Sequence, residues 1–236
     1  MEIEPLGDSA LIVRVVDEFE TDPEASLNTV LRVFRCLEAA AIPGVIELAP
    51  AYRTVAVFYD PARIARTELT PSPFESLTAE IESALQNQSA GRGEGAPPRT
   101  VEIPVCYDLE FALDLAQVAA YAGMSELEVV RRHSSARYRV NCVGFTPGFP
   151  YLTGLPAELA TPRRATPRTE IPAGSVAIGG AQTGIYPTKS PGGWNVIGRT
   201  PLRLFDHQRE PPAILRAGDR ITLRQISREE FDSLRQ

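Results

Sequence analysis

The sequence predicts an α+β domain over residues 1–88, a linker over 89–99, and a mainly-β domain over 100–236 that is either a barrel or a sandwich. Three observations carry this. Residues 1–88 alternate strand-like and helix-like patterns. The stretch QSAGRGEGAPPR is poor in large apolar side chains and rich in Gly, Pro and Ser, so it can bury little. From Val140 to Phe205 glycine and proline recur every few residues, which rules out a long helix, because Pro removes a backbone donor and Gly weakens helix interiors.

In the first domain, ALIVRVV and TVAVFY are rich in β-branched side chains and read as strands. Between them Asp22 is placed to cap a helix whose first turn holds Pro23, and Leu27, Val30, Leu31, Phe34 and Ala41 are expected on its apolar face. Ser72-Pro73-Phe74-Glu75 is a capping-box pattern opening a second helix through Leu77, Ile81, Ala84 and Leu85. After the linker, TVEIPVCY reads as a strand, and Asp114–Ala122 and Ser125–His133 read as short helices. Strands are expected at Ala136–Val143, Ser175–Ile178, Trp194–Gly198, Pro201–Phe205 and Arg220–Gln225.

The composition excludes several classes. Of 236 residues 43% are hydrophobic and 23% charged, which is ordinary for a soluble globular protein, and no apolar run approaches a membrane span. MEIEPLGDSA lacks the basic and apolar regions of a secretory signal, so a cytoplasmic location is expected, without membrane partners. Cys36, Cys106 and Cys142 are too few and too scattered for a disulfide framework or a zinc spacing. The net charge of -6 opposes nonspecific nucleic-acid binding. Residues 1–90 hold 6 Lys+Arg against 15 Asp+Glu, and residues 91–236 hold 18 against 15, so the second domain is the better host for an anionic ligand.

Motifs for a zinc protease, a nucleophile elbow and a dinucleotide fold are absent. Gly179–Gly184 has the spacing that opens a P-loop, but Ile185 stands where Lys is required. Of the two histidines, His133 ends a predicted helix and reads either as a general acid or base or as a favourably placed cation at a helix C-terminus. Pro162-Arg163-Arg164 and Pro167-Arg168 lie in a stiff segment where a guanidinium can grip a carboxylate or phosphate. Lys189, the only lysine, reads as a surface residue. Gly144, Phe145, Pro147, Gly148, Phe149 and Tyr151 place aromatics between turn formers, either walling a pocket or plugging one end of a barrel. Gln182, Tyr186, Ser190 and Trp194 offer donors and acceptors suited to an amide or lactam, and Gly192 and Gly193 let a ligand approach the backbone closely.

GFTPGFPYL, PRRATPR, IPAGSVAIGG, TGIYP and SPGGWNVIGRTPL, with the earlier PAYRTVAVFYD, resemble one family over most of the chain. It is the family of the B subunit of bacterial ATP-dependent 5-oxoprolinase, which includes a sporulation histidine-kinase inhibitor and a carboxyltransferase subdomain of urea carboxylase, also described as the first subunit of allophanate hydrolase. The resemblance implies a cyclophilin-like β-barrel for the second domain. It also implies a chain inactive alone, acting with a related C subunit and a third subunit to convert 5-oxo-L-proline, ATP and water to L-glutamate, ADP and phosphate. ATP with Mg2+ is the implied cofactor, its site shared with a partner, and coupling to ATP would activate the lactam carbonyl by phosphorylation. On this reading His133 is expected to transfer a proton, Arg168 to meet an anionic group, and Gln182 and Tyr186 to orient the cyclic amide, within the loops Gly144–Tyr151 and Ser190–Trp194. Kinase inhibition and amide or urea carboxylation are the alternatives within the family. The carboxylation route needs biotin on another polypeptide, since this chain has no biotinyl Met-Lys-Met.

Overall fold

A computed structural model describes residues 1–17, 22–65, 72–88 and 98–235. The chain forms two compact units, Met1–Pro97 and Pro98–Gln236. Most of the expected linker lies outside the described residues.

The first unit holds β1 (Glu2–Pro5), β2 (Ala10–Arg14), α1 (Pro23–Ala40), β3 (Val45–Ala51), β4 (Thr54–Tyr59) and α2 (Pro73–Gln88). Its antiparallel sheet runs β1-β2-β4-β3. Alternation sends Leu11, Val13, Val55 and Val57 to one face, where Val30 and Leu37 of α1 and Leu77 and Ile81 of α2 cover them. Asp22 caps α1 as expected, accepting the Ala25 N–H at 2.9 Å. Ala41 is not on the apolar face. It is the exposed C-cap, in the left-handed region at φ 45°, where the helix stops. The edge strands β1 and β3 carry little apolar alternation in EIEP and VIELAPA, and sequence patterning passes over them for that reason.

The capping box at α2 is reciprocal: the Glu75 N–H donates to Ser72 Oγ at 3.1 Å, and Glu75 Oε2 accepts the Ser72 N–H at 3.1 Å. Ser72→Ala should destabilise the first unit by about 1 kcal/mol. Faster amide exchange in the first turn of α2 is the measurement, and unchanged exchange would mean that the box contributes nothing.

The second unit holds β5 (Thr100–Cys106), α3 (Leu115–Ala122), α4 (Glu126–Ser135), β6 (Arg137–Val143), β7 (Pro150–Thr153), a 3-10 turn at Ala157–Leu159, β8 (Arg168–Ile171), β9 (Ser175–Gly179), β10 (Gln182–Ile185), β11 (Ser190–Gly192), β12 (Asn195–Arg199), β13 (Arg220–Ile226) and α5 (Arg228–Leu234). Seven strands close a barrel in the order β10-β7-β6-β13-β5-β12-β9, and β8 and β11 pair in a separate two-stranded ribbon. This is the barrel the family resemblance implied, preceded by an α+β unit. The barrel core joins Ile103, Val105, Val140, Leu152, Val176, Ile178, Ile185 and Ile197 to Leu115 and Val118 of α3 and Val129 and Val130 of α4.

Pro201–Phe205 is not a strand. Only Phe205 forms an isolated bridge, to Ala213, and the apolar residues Leu202 and Leu204 pack on the core from irregular backbone. The short strands β7, β8, β10 and β11 were not expected, because Gly and Pro mask runs of three or four residues. All three cysteines are buried, and none forms a disulfide. Among the described residues, no helix is long and apolar enough to cross a membrane.

Candidate functional site

Strand alternation divides the barrel wall into two faces. On β9, Val176 and Ile178 join the barrel core while Ala177 joins a separate cluster. On β12, Ile197 and Val196 divide the same way. That second cluster comprises Phe149, Ile171, Ala177, Tyr186, Trp194 and Val196, with Tyr151 packed against it. Residues from both Gly/Pro-rich loops therefore meet in one place. Phe149 lies edge-on to Tyr151, Tyr186 and Trp194, with ring centroids 4.9, 5.1 and 5.6 Å away.

Glycine makes this packing possible at two positions. A Cβ on Gly179 would lie 2.4 Å from the Trp194 ring, so the indole rests directly on the β9 backbone. A Cβ on Gly192 would lie 2.3 Å from the Tyr186 hydroxyl, which β11 covers closely. Gly179→Ala should therefore push the indole aside and cost the second unit about 1–3 kcal/mol. The emission maximum of Trp194, the only tryptophan, should shift red with it. An unshifted maximum would show that the indole has room to spare.

The loop before β7 is tightly drawn. Gly144 N–H donates to the Phe149 carbonyl, Thr146 N–H to the Gly144 carbonyl and Phe149 N–H to the Thr146 carbonyl, at 2.9–3.0 Å. Gly148 packs against Phe205, and Pro147 is exposed. Phe145 takes φ 68°, an unfavourable region for a bulky residue, and is 62% exposed, with its ring edge-on to Phe149.

The Arg-rich segment is clamped beside this cluster. The Pro162 carbonyl accepts from Asn195 Nδ2 at 2.9 Å, and the Arg164 N–H donates to the Gly193 carbonyl at 2.8 Å. The carboxylate of Asp114, a residue 3% exposed, accepts two bonds from Arg168 at 2.7 and 2.9 Å, one from Arg164 at 2.7 Å and one from the Val196 N–H at 2.7 Å. The Arg168 guanidinium is thus already engaged by an internal carboxylate, whose hydrogen bonds raise its pKa further. Its geometry is that of a positioning residue.

His133 lies on the other face of the wall. Thr183 and Gly184 are neighbours on β10. His133 Nε2 is 3.0 Å from Thr183 Oγ1, whereas Phe149 packs where a Gly184 Cβ would be. Thr183 donates its hydroxyl to the Ala177 carbonyl at 2.9 Å, so Nε2 carries the proton and donates to Thr183. Nδ1 then accepts from the Tyr107 hydroxyl at 2.8 Å. His133 is 0% exposed, and burial lowers its pKa to about 3. A neutral imidazole with both nitrogens engaged inside the core is a framework element, not a proton donor near neutral pH.

The other expected contact residues divide. Tyr186 is buried, and burial raises the pKa of its hydroxyl, with the nearby Trp194 backbone opposing that rise. Gln182 is half-buried on β10, opposite Gly179. Ser190 pairs across the ribbon with Ile171, and its Oγ is buried without a partner. Lys189 is an exposed residue paired with Glu170 at 2.7 Å. Gly179–Gly184 is a β-hairpin between β9 and β10 and not a P-loop. Sequence reasoning missed Asp114 and Asn195, because an Asp at a helix start reads as a cap. Asp114 makes no capping bond and instead reaches side chains 50 and 54 residues away.

A family model described as carboxyltransferase domain, subdomain C and D, matches residues 1–215. The chain is 40% identical over 237 residues to the 5-oxoprolinase B subunit of Bacillus subtilis strain 168, covering 100% of this chain and 97% of that protein. It is 41% identical to the 5-oxoprolinase B subunit of Escherichia coli O157:H7, covering 92% of each. Among solved structures it is similar to TTHA0988, at 34% identity and TM-score 0.75, over 92% of this chain but only 40% of that longer one.

Proposed function

The chain belongs to the family of carboxyltransferase domains, subdomains C and D, and on that premise we propose that it is the B-type subunit of an ATP-dependent 5-oxoprolinase, cleaving 5-oxo-L-proline to L-glutamate with a related C-type subunit and a third subunit. The observation that carries this reading is the convergence of the two Gly/Pro-rich loops on one aromatic cluster beside a clamped arginine segment. Full-length similarity to two proteins named as 5-oxoprolinase B subunits supports it. That TTHA0988 carries the matching region within a longer chain supports action with a further domain or subunit.

The residues of this chain have distinct tasks in that reading. Phe149, Tyr151, Tyr186 and Trp194 form a dry wall that excludes water from a small ring placed against it. The Ser190–Gly193 segment offers backbone close to such a ring, with Gly192 packed directly on the Tyr186 hydroxyl. Asp114, Arg164 and Arg168 fix the arginine segment and leave a surplus of positive charge for an anionic group. ATP, when bound, supplies the phosphoryl group that activates the lactam carbonyl. Surplus guanidinium charge suits phosphate, whereas among the described residues no group of three or more His, Cys, Asp and Glu is placed to hold a metal ion. On this reading a magnesium–nucleotide site is shared between this subunit and its partner, where one or two carboxylates and the phosphates would hold the ion.

The test is 5-oxoproline-dependent ATP hydrolysis and glutamate formation by purified partner subunits, with and without this chain. Turnover only in its presence is the expected result. No turnover with partners that are active beside a known B subunit, together with tight binding to a histidine-kinase dimerisation domain, would replace this reading with kinase inhibition.

A further inference from the structure

We infer that Arg163, and not Arg168, is the residue that meets the oxyanion of the ligand, a carboxylate or a phosphate, at the rim of the Trp194 cluster. The inference rests on the proposed function for the identity of that ligand.

Three arginines lie within six residues, and they are not equivalent. Arg164 and Arg168 both point at Asp114, so one carboxylate faces two guanidinium groups, and neither cation is available to a ligand without breaking a buried pair. Arg163 lies between the anchored Pro162 carbonyl and the anchored Arg164 N–H, so its backbone is held on both sides. Its side chain is exposed, and its Cζ stands over the Trp194 ring, 5.7 Å from the centroid. Burial raises the pKa of the Tyr151 and Tyr186 hydroxyls and the Arg163 charge opposes that rise, in keeping with its place over the Trp194 ring.

The neighbouring Arg164 adds to the positive charge of this segment. Arg164 Nε is buried and has no acceptor, although its neighbouring NH1 is bonded to Asp114. A buried charged N–H without an acceptor is costly, and it lies one residue from the exposed cation. The local balance is three guanidinium groups to one carboxylate. An oxyanion against Arg163 would reduce this excess while its organic part lay toward Trp194.

Trp194 is the only tryptophan in the chain and therefore reports on this site. Titrating 5-oxo-L-proline, and separately inorganic phosphate, into the full chain should change its emission saturably with at least one of the two. The one that acts identifies carboxylate or phosphate as the source of the oxyanion. Arg163→Ala should weaken that response about tenfold or more, and Arg163→Lys should restore part of it. Because Arg163 is exposed, the variant should fold, with unchanged far-ultraviolet circular dichroism as the check. In the reconstituted oxoprolinase, Arg163→Ala should raise KM by about tenfold with kcat nearly unchanged, the signature of lost uniform binding. No saturable response in the unmodified chain, or an equal response in Arg163→Ala, overturns the inference. Turnover with unaltered KM in Arg163→Ala overturns it and leaves the oxoprolinase reading standing. An Arg163-dependent titration in a chain that supports no turnover does the opposite.

Discussion

Replacing Asp114 with Ala should lower the stability of the second unit by about 3–5 kcal/mol, because it leaves two partly buried guanidinium groups without their counter-charge. The same carboxylate accepts the Val196 N–H, and the Asp114 N–H donates to the Val196 carbonyl at 2.7 Å, so the side chain also fixes the start of α3 against β12. Asp114→Asn keeps the shape and one acceptor but turns an amide N–H toward a cation, so an intermediate loss is expected. Lys189→Ala is the contrasting control. It breaks an exposed pair with Glu170 and should cost less than about 1 kcal/mol. Urea unfolding followed by Trp194 emission reads the second unit alone, since the only tryptophan lies there. A loss under about 1 kcal/mol for Asp114→Ala would mean that backbone bonds hold the arginine segment unaided. Where the clamp fails, anion binding at Arg163 should weaken with it.

The legible parts of this molecule were those encoded locally. Alternation in ALIVRVV and TVAVFY marked two central strands, and the Ser72–Glu75 box marked a helix start, because each signal lies within a few residues of the structure it causes. The edge strands and the three- or four-residue strands around the site carried no such signal. β1 and β3 pair with their sequence neighbours β2 and β4 but alternate too weakly to be read, whereas β7 with β10 and β8 with β11 pair across intervening strands. Phe149 and Trp194 of the two Gly/Pro-rich loops meet in one cluster, and the partners of the charged residues lie far along the chain. The sequence offers Arg168 to an anionic group without showing which, and in the fold it meets Asp114, 54 residues away. His133 reads in the sequence as a general acid or base or as a cation at a helix C-terminus, and the groups that engage its buried ring are Tyr107, just after β5, and Thr183 of β10.

That burial leads to the second large effect. His133→Ala should cost about 3–5 kcal/mol at neutral pH, since it leaves a cavity and removes the partner of the Tyr107 hydroxyl. His133→Gln separates structure from titration. The folded-state pKa of about 3 lies below the ordinary histidine value near 6.5, so between those pH values the unfolded chain binds a proton that the folded chain does not. The stability from the neutral, buried imidazole is fully present above about pH 6.5 and is lost as pH falls toward 3. Between pH 7.5 and 4.5 the unmodified chain should lose about 2–3 kcal/mol more than His133→Gln does, read by urea unfolding at each pH. Equal losses in the two proteins would show that His133 titrates in the fold as it does in the unfolded chain. Only then does proton transfer from this residue regain a physical basis. A rate profile lacking a His133-dependent inflection near pH 6.5 is the outcome its place in the barrel wall predicts.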